Sequence, residues 1–329
     1  MFTGSLYSSA IMFGNQVFRG ILQEPRAIWI LTRKGTVTMT YHVLHNPLAG
    51  SSSATTPWLT ALTEGGHTVR EYDVTVVSKD YPAFLESLTA EDVVLLHGGD
   101  GTLNRFINDT DGLTFPCDIL YAPGGTGNDF LRDLNRTAEE GPFSVAGYIR
   151  NLPFAEVKGK RYRFLNNVGF GIDGYCCEVG DARKAAHPGK KVNYTAVAIK
   201  GLLFHYKPTT AIVTVDGQTF TYKNAWLAPT MKGRYYGGGM NATPGQDRMN
   251  PEGTLSVMLF YGKGRLATLM AFPSIFEGQH IRHTDMVAIH EGRDIHVQFD
   301  SPRTIQIDGE TVTGVTEYRA YAAEFSDKK

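Results

Sequence analysis

Hydrophobic and polar positions fall into a regular order only from about residue 40 onward. The apolar stretch Tyr41–Leu44 predicts a strand, and the residues of Asn46–Gly50 predict a turn after it. Residues 1–38 show no steady periodicity, and Met39 stands just before this strand. We therefore treat residues 1–38 as an extension, either disordered or produced by a misplaced start codon, and leave them out of the fold prediction.

Two kinds of apolar segment alternate from there to about residue 155. The sequence predicts helices at residues 58–62, Pro82–Leu88 and from Thr102 onward, and strands at Val69–Val76, Val93–Leu96 and Ile119–Ala122. Strands that alternate with helices in this way form a parallel sheet with helices on its faces. We therefore predict an α/β domain of three layers, with a mostly parallel sheet, over residues 39–155.

A different pattern begins after Pro153, where apolar and polar residues alternate with period two. The segments of this kind, with the turn between the first two, are Thr210–Val215, Asp216-Gly217, Thr219–Leu227, Asp294–Phe299, Thr304–Ile307 and Tyr318–Phe325. Helices are expected at Val192–Tyr206 and Leu266–Phe276. This alternation is typical of antiparallel β structure. We predict a mainly antiparallel, β-sandwich-like domain over residues 156–329.

The composition narrows the range of functions. The chain has 329 residues, 42% of them apolar, which is enough for a sizeable core. Its 32 lysines and arginines nearly balance 33 aspartates and glutamates, so we expect no nucleic-acid partner. No apolar run approaches the roughly 18–20 residues of a membrane span. The cysteines, Cys117, Cys176 and Cys177, show neither a zinc spacing nor a disulfide framework, which favours a cytoplasmic location.

The first candidate for chemistry is the block His97–Asn104, which reads HGGDGTLN. It follows the strand Val93–Leu96 and opens a helix. Glycines in such a position let the backbone approach an anion, and free N–H groups at the helix start point at phosphate oxygens. A tight turn is the alternative explanation of a single Gly-Gly pair.

A second block of this kind, Pro123–Phe130, reads PGGTGNDF and follows the strand Ile119–Ala122. Two such turns at successive strand ends lie side by side at the carboxyl edge of a parallel sheet, where ligands bind. Neither block is a Walker A loop, since no Gly-Lys-Ser or Gly-Lys-Thr follows, and neither has the full G-x-G-x-x-G spacing. We expect phosphate to be held by backbone, hydroxyls and a metal ion.

Four carboxylates accompany these patterns. Asp100 and Asp129 are the expected partners of Mg²⁺, directly or through water, because this ion prefers oxygen ligands. Capping of a helix N-terminus is the alternative role for both. Asp308 and Glu310 belong to a third motif, IQIDGE at residues 305–310. Because Asp-Gly is also a plain hairpin turn, this motif is weak on its own.

Together the three motifs resemble the soluble bacterial diacylglycerol kinase family of lipid kinases, which shares its catalytic domain with sphingosine and ceramide kinases. The likeness runs from Met39 to the C-terminus. The family's G-G-D-G-T-x-N block is matched by Gly98–Asn104 without a substitution. Its P-x-G-T-x-N-D-F-A-R block is matched by Pro123–Arg132, with Leu131 in place of the small residue, and its late D-G-E by Asp308–Glu310.

The resemblance implies a catalytic domain of the NAD kinase and phosphofructokinase type that binds ATP and Mg²⁺. The residues implied to contact the nucleotide come from the N-P-x-x-G turn, the second strand and the two glycine blocks: Asn46, Pro47, Gly50, Thr75, Gly98, Gly99, Asp100, Gly101, Thr102, Asn104, Gly124, Gly125, Thr126, Asn128 and Asp129. It also implies that residues 304–329 return to the cleft between the domains. Asp308 would then be the base, with Glu310 assisting or competing and Asp100 as the alternative.

One stretch departs from the family pattern. The family's G-G-G-M-x-x-A-P is matched by Gly237–Pro244. The Asp-Asp-Gly loop that can hold a structural magnesium in the family is replaced here by the longer Gln246–Gly253. The replacement puts this structural metal site in doubt.

Diacylglycerol is the acceptor that the resemblance implies first, with a sphingoid base, ceramide or another long-chain alcohol behind it. Helix Val192–Tyr206 could wall an acyl cleft, with Lys184, Lys190 and Lys191 touching anionic headgroups. An ordinary core helix with a solvated basic loop is the alternative. We expect transient peripheral contact with the inner face of the membrane, and a homodimer stays open.

Two other functions stay open. An NAD kinase shares the G-G-D-G-T block and a β-rich second domain, although the block Pro123–Phe130 disfavours it and no evident Asn-Glu pair follows the first block. From a different class, a nucleotide-binding regulator without catalysis is the alternative. That alternative needs positive evidence, because all the expected carboxylates are present.

Overall fold

The computed structural model describes residues 38–47, 57–124, 128–187, 190 and 192–322. The expectation for residues 1–38 therefore lies almost wholly outside the described residues. Within the described ranges, no helix combines the length and the apolar character needed to cross a bilayer.

A five-stranded sheet forms the N-terminal part, in the order β2-β1-β3-β4-β5. Strands β1 to β4 run parallel, and β5 is antiparallel to β4. The strands are β1 Thr40–His45, β2 Thr68–Asp73, β3 Asp92–Gly98, β4 Asp118–Pro123 and β5 Phe143–Ser144. The helices are α1 Pro57–Glu64, α2 Val74–Val77, α3 Tyr81–Glu86, α4 Asp100–Asp109, α5 Asp129–Asp133 and α6 Ala146–Ile149, with a 3₁₀ turn at Ala138–Glu140.

Both faces of this sheet are covered, because its strands are apolar on successive residues. On one face Val43 and Leu95 pack against Leu62 of helix α1. On the other, Leu44 and Leu96 join a larger core with helices α3, α4 and α5. This arrangement confirms the predicted three-layer α/β class with a mostly parallel sheet.

A ten-stranded, wholly antiparallel sheet forms the C-terminal part, and its first strand begins at Phe154. Its main path is β15-β14-β11-β8-β16-β17-β6-β7, and β9 pairs with both β10 and β16. Its strands are β6 Phe154–Val157, β7 Lys160–Arg163, β8 Asn167–Gly171, β9 Thr209–Val215, β10 Gln218–Ala225, β11 Leu227–Met231, β14 Leu255–Phe260, β15 Val287–Gly292, β16 Asp294–Ile307 and β17 Glu310–Tyr321. A separate two-stranded ribbon consists of β12 Tyr235–Tyr236 and β13 Met240–Asn241.

Strand β16 connects two layers of the β domain. It pairs with β9 through residues 295–299 and with β8 through residues 305–307, on either side of an irregular stretch. A core that includes Phe170, Val213 and Tyr318 lies between the layers. A second core lies beneath helices α7 Ile172–Ala186, α8 Tyr194–Lys200 and α9 Arg265–Ala271, a π-helical turn at Gly201–His205, and 3₁₀ turns at Phe272–Ile275 and Gln279–Arg282. The predicted antiparallel β class is confirmed.

Three details differ from the sequence expectations. Strand β2 ends at Asp73 rather than Val76, because the Asp73 carboxylate caps helix α2 and accepts from the N–H of Thr75 at 2.8 Å. Thr75 therefore lies in a helical turn and not at a strand end. The two late strands predicted at 294–299 and 304–307 form one bent strand. Helix α7 was not predicted, because its sequence of small and polar residues carries no clear apolar stripe.

Candidate active site

The first glycine block forms the turn between strand β3 and helix α4. Gly98 ends the strand, and a Cβ at this position would lie 2.6 Å from the Thr102 side chain, so a larger residue would force Thr102 to move. The Thr102 hydroxyl accepts a hydrogen bond of 3.1 Å from Asn46 Nδ2. The β1 turn and the first glycine block are thereby joined. A Cβ at Gly101, by contrast, would meet nothing within 4 Å.

The second glycine block lies beside the first. The N–H of Gly124 donates to the carbonyl of Gly98 at 2.8 Å, and helix α5 then begins at Asp129, with Asn128 at its N-cap position. The two blocks therefore share one edge of the sheet. Three of the residues implied to bind nucleotide, Gly50, Gly125 and Thr126, lie outside the described residues.

Asp100 connects the two turns. Its Oδ2 accepts hydrogen bonds from the N–H groups of Asp129 at 2.7 Å and Phe130 at 3.1 Å. The same oxygen accepts from Asn166 Nδ2 at 3.2 Å, whereas the buried Oδ1 has no hydrogen-bond partner among the described residues. Burial raises the pKa of the Asp100 carboxyl to about 7, and the nearby Asp129 and Asp308 carboxylates add to the rise.

Asp129 does not cap its own helix. Asp100 does so, and the Asp129 Oδ2 instead accepts from the N–H of Gly238 at 2.8 Å, in the loop between β12 and β13. Burial raises the pKa of the Asp129 carboxyl. One domain thus supplies a carboxylate whose backbone partner comes from the other.

Asp308 lies in the turn between β16 and β17, with Gly309, and both residues have positive φ angles of 46° and 92°. Its carboxylate nevertheless makes long-range contacts that a plain hairpin turn does not need. Oδ1 accepts from the N–H groups of Asn166 at 2.8 Å and Asn167 at 2.9 Å. Oδ2 accepts from the N–H of Leu165 and from one side-chain donor.

The second partner of Asp308 Oδ2 is Asn104 Nδ2, at 2.6 Å, which belongs to helix α4 and the first glycine block. Each oxygen of the carboxylate therefore accepts two hydrogen bonds, which fills its four lone-pair positions. Burial raises the pKa of the Asp308 carboxyl, and the three backbone hydrogen bonds oppose this rise. The contact brings the late hairpin against the first glycine block.

Glu310, two residues after Asp308, is exposed to solvent. It forms an ion pair of 2.9 Å with Arg105 of helix α4, and the two side chains remain 56% and 59% exposed. This pair lies at the outer edge of the cleft.

The hydroxyl of Thr75 donates to Asp73 at 2.6 Å, so in this structure it serves the cap of helix α2.

A buried ion-pair network beside these groups was missed by sequence reasoning. Asp133 of helix α5 accepts from Arg234 Nε at 2.8 Å and from Arg248 Nε, and only 2% of the Asp133 side chain is exposed. Arg248 Nη2 also donates to Asn166 Oδ1 at 2.9 Å. Asn166 therefore links Arg248 to Asp100. The available signals were the position of Asp133 directly after the match Pro123–Arg132 and the unusual loop Gln246–Gly253.

The donor set for a metal ion is limited. No group of three or more His, Cys, Asp and Glu side chains in the described ranges is arranged to hold a metal ion. In the Gln246–Gly253 loop, Arg248 turns inward to Asp133, while Asp247 Oδ1 accepts from the N–H of Met249 at 2.9 Å. The loop thus buries a guanidinium where a metal-binding loop would need carboxylates.

Comparison with known proteins assigns this site to a class. Residues 40–151 match the model of the diacylglycerol kinase catalytic domain, and residues 166–320 match that of the YegS C-terminal NAD kinase beta sandwich-like domain. The two models together cover both parts of the chain, and the first is a model of a kinase catalytic domain. The chain belongs to the diacylglycerol kinase family of lipid kinases.

Individual relatives agree with this assignment. The diacylglycerol kinase of Mycobacterium tuberculosis is 26% identical over 269 residues, which cover 78% of this chain and 84% of the relative. A lipid kinase candidate of Bacillus subtilis, YtlR, is 26% identical over 253 residues, 69% of this chain and 76% of the relative. A crystal structure of a diacylglycerol kinase from Bacillus anthracis strain Sterne has the same fold, with a TM-score of 0.56 and 18% identity, over 88% of this chain and 95% of that one.

Proposed function

We propose that the protein transfers the γ-phosphate of MgATP to the hydroxyl of diacylglycerol or a similar lipid, which yields a phosphatidic acid. The observation that carries this proposal is the position of Asn166. Its N–H donates to Asp308, and its side-chain amide donates to Asp100. One residue of the β domain thus holds the first glycine block and the late hairpin carboxylate side by side, where donor and acceptor would meet.

The glycine turns are the proposed binding site for the nucleotide phosphates. Helix α4 begins at Asp100 and helix α5 at Asp129, and both starts are adjacent at one sheet edge. Phosphoryl transfer depends mainly on positioning and on neutralisation of charge, both of which this edge can supply. Asn46, Pro47 and Thr102 stand on the neighbouring turn and helix, so they are proposed to contact the nucleotide as well.

The carboxylates at this edge fit a magnesium ion bound through water. The buried Oδ1 of Asp100 has no hydrogen-bond partner among the described residues, and its elevated pKa indicates a site that favours an added proton or cation. Asp100 and Asp129 are the residues proposed to hold the ion. When bound with ATP, the ion would neutralise phosphate charge.

Asp308 is the proposed base, because the late hairpin brings it to helix α4. Since all four of its hydrogen bonds come from protein donors, proton acceptance requires that one donor release an oxygen. Asp100 is the competing base, because its Oδ1 is unpartnered and its pKa of about 7 suits proton transfer near neutral pH. Glu310 is exposed and is proposed only to assist.

The acceptor assignment rests on a relative and on the apolar residues of one helix. The Mycobacterium tuberculosis relative is named a diacylglycerol kinase, which supports a diacylglycerol-like acceptor. Helix α8 buries Val197, and the turn after it buries Leu202, so part of the proposed acyl wall belongs to the core. Of the proposed headgroup contacts, Lys184 lies 3.6 Å from Asp181, and Lys191 lies outside the described residues.

The proposal is tested by transfer of labelled γ-phosphate from MgATP into a total lipid extract. We expect wild-type protein to label a phosphatidic acid, and Asp308→Asn and Asp100→Asn to lose at least about 100-fold in rate, as when an acid–base group is removed. Glu64→Gln, which removes an exposed carboxylate of helix α1, is the matched control and should retain full activity.

Three results would contradict parts of this proposal. With NAD supplied beside the lipid extract, label that enters only NADP would assign the chain to the NAD kinases. ATP binding without transfer to any acceptor would favour a regulator. A kcat of Asp308→Asn near that of wild type would remove Asp308 from the base role.

A further inference from the structure

Three large apolar side chains stand out on the surface of the β domain. Phe204 is 71% exposed, Leu266 69% and Met270 77%, which makes them the most exposed large apolar residues in the described ranges. Leu266 and Met270 are four residues apart in helix α9, so they lie on one face of it. Phe204 lies in the π-helical turn Gly201–His205.

The two segments that carry these side chains are in contact. Arg265 Nη1, at the start of helix α9, donates to the carbonyl of Leu202 in the π-helical turn at 2.6 Å. Their opposite faces are buried, with Leu202 and Ala271 in the same core. Phe204, Leu266 and Met270 are therefore exposed on two adjoining segments, and we call these three side chains the apolar patch. Scattered exposed apolar residues are common, but a contiguous group marks an interaction site.

The two segments that carry the apolar patch contain charges of only one sign. Residues 192–207 and 261–276, which carry the patch, contain no aspartate or glutamate, although the chain has 33 such residues among 329. The same segments contain four cations, Lys200, Lys207, Lys263 and Arg265. Lys263 pairs with Asp285 at 2.7 Å, whereas Lys200 and Lys207 are exposed. An apolar centre with a basic surround complements an anionic lipid surface.

The turn that carries Phe204 packs against an element that leads to the cleft. The backbone of Gly201 packs against Ile172 and Tyr175, in the first turns of helix α7. Helix α7 follows strand β8 directly, and Asn167 at the start of β8 donates its N–H to Asp308. The turn that carries Phe204 is thus linked through helix α7 and strand β8 to the hydrogen-bond partners of Asp308.

We propose that the apolar patch docks the protein on an anionic bilayer, with Phe204, Leu266 and Met270 inserted among the lipids and Lys200 and Lys207 near the headgroups. The proposal rests on the proposed function, because a lipid acceptor resides in such a bilayer. A second copy of the chain fits less well, since a two-fold contact would set the same basic surround against itself.

The test measures sedimentation with vesicles of phosphatidylcholine alone or with phosphatidylglycerol. We expect wild-type protein to bind the anionic vesicles, and the triple variant Phe204→Ser, Leu266→Ser, Met270→Ser to bind at least about tenfold more weakly. Lys200→Gln with Lys207→Gln should weaken binding to anionic vesicles only. The double variant Ile212→Ser, Met249→Ser is the control, because it removes exposed apolar side chains elsewhere and should bind as wild type does.

A second variant guards against misfolding of the triple one. Phe204→Trp adds a fluorophore to the apolar patch, and its emission should shift to shorter wavelength when anionic vesicles are added. Unchanged emission, or equal vesicle binding by the triple variant and wild type, would overturn the proposal. So would a wild-type dimer that the triple variant converts to monomers, because the apolar patch would then face a second copy.

The docking proposal and the proposed function can fail separately. Kinase activity toward a short-chain diacylglycerol dissolved below its aggregation limit needs no docking, so the triple variant should retain it while losing activity on vesicles. Vesicle binding that depends on the apolar patch, in a protein that phosphorylates no lipid, would support the docking surface and reject the lipid kinase activity.

Discussion

Two of the ion pairs between the α/β domain and the β domain differ in their surroundings. Arg248 and Asp133 are 5% and 2% exposed, and Arg248 also binds Asn166 and thereby reaches Asp100. Arg105 and Glu310 are more than half exposed. A buried pair that loses one partner leaves an uncompensated charge, whereas an exposed pair contributes little. We call the buried pair of Arg248 and Asp133 the floor of the cleft, and the exposed pair of Arg105 and Glu310 its rim. The floor is held in place by charge, whereas the rim can rearrange around substrates.

The largest predicted effect is on the buried pair. Arg248→Met keeps most of the side-chain volume but leaves Asp133 with Arg234 as its remaining cation, so we expect a loss of about 3–5 kcal/mol in the free energy of unfolding. Denaturant unfolding at pH 7 measures it, with Arg105→Met as the matched control. A loss below about 1 kcal/mol would mean that the floor and the rim do not differ.

The next effect concerns Asp100, which is linked to the floor through Asn166 and makes the stability of the protein depend on pH. Its carboxyl titrates near 3.9 when unfolded and at about 7 in the folded protein, so between these values the folded state binds more protons and stability falls as pH rises. Asp100→Asn removes this titration. We expect the variant to gain stability relative to wild type from pH 4 to 7, by about 2–4 kcal/mol in total, and to keep that gain above pH 7.

Thermal and denaturant unfolding at several pH values measure this difference. A difference between Asp100→Asn and wild type that stays constant from pH 4 to 8 would show that the carboxyl is not held in its neutral form. Asp129 and Asp308 interact with Asp100, so the difference between the two proteins includes their response to its charge.

Two glycines of the first block, one in crowded and one in open surroundings, should differ in the same sense but with smaller effects on stability. A Cβ at Gly98 would collide with Thr102, so Gly98→Ala should cost about 1–3 kcal/mol of stability. Gly101 has open space around it, and Gly101→Ala in helix α4 should stabilise the fold by about 0.5–1 kcal/mol. If Gly101 serves the approach of phosphate, its variant should nevertheless lose about tenfold or more in ATP affinity. Equal stability losses for both variants would refute the distinction.

The smallest effect is expected at the rim. Glu310→Gln removes the charge that pairs with Arg105, and because both side chains are exposed we expect a change in stability below about 1 kcal/mol. The change should shrink further at 0.5 M salt, where exposed charges are screened. A double-mutant cycle with Arg105→Met measures the coupling, and a value above about 2 kcal/mol would contradict the assignment of this pair to the rim.

The sequence was sufficient to predict both sheets and the two glycine blocks, because alternation of apolar residues and runs of glycine are local signals. It was insufficient for the network of Asp133, Asn166 and Arg248. These residues come from three distant segments, and only the folded structure shows that they are in contact. Helix α7 escaped prediction because its residues lack an apolar stripe. Thr75 was misplaced because a local cap by Asp73 ends the strand early, a contact that strand periodicity does not register.

The most direct test of the central claim is a competition between two acceptors for one phosphate donor. Purified protein receives MgATP with equal concentrations of a dissolved short-chain diacylglycerol and NAD, and the products are separated. The lipid kinase account predicts phosphatidic acid as the dominant product, lost in Asp308→Asn and retained in Arg105→Met. NADP as the dominant product, or equal phosphatidic acid from wild type and Asp308→Asn, would contradict it.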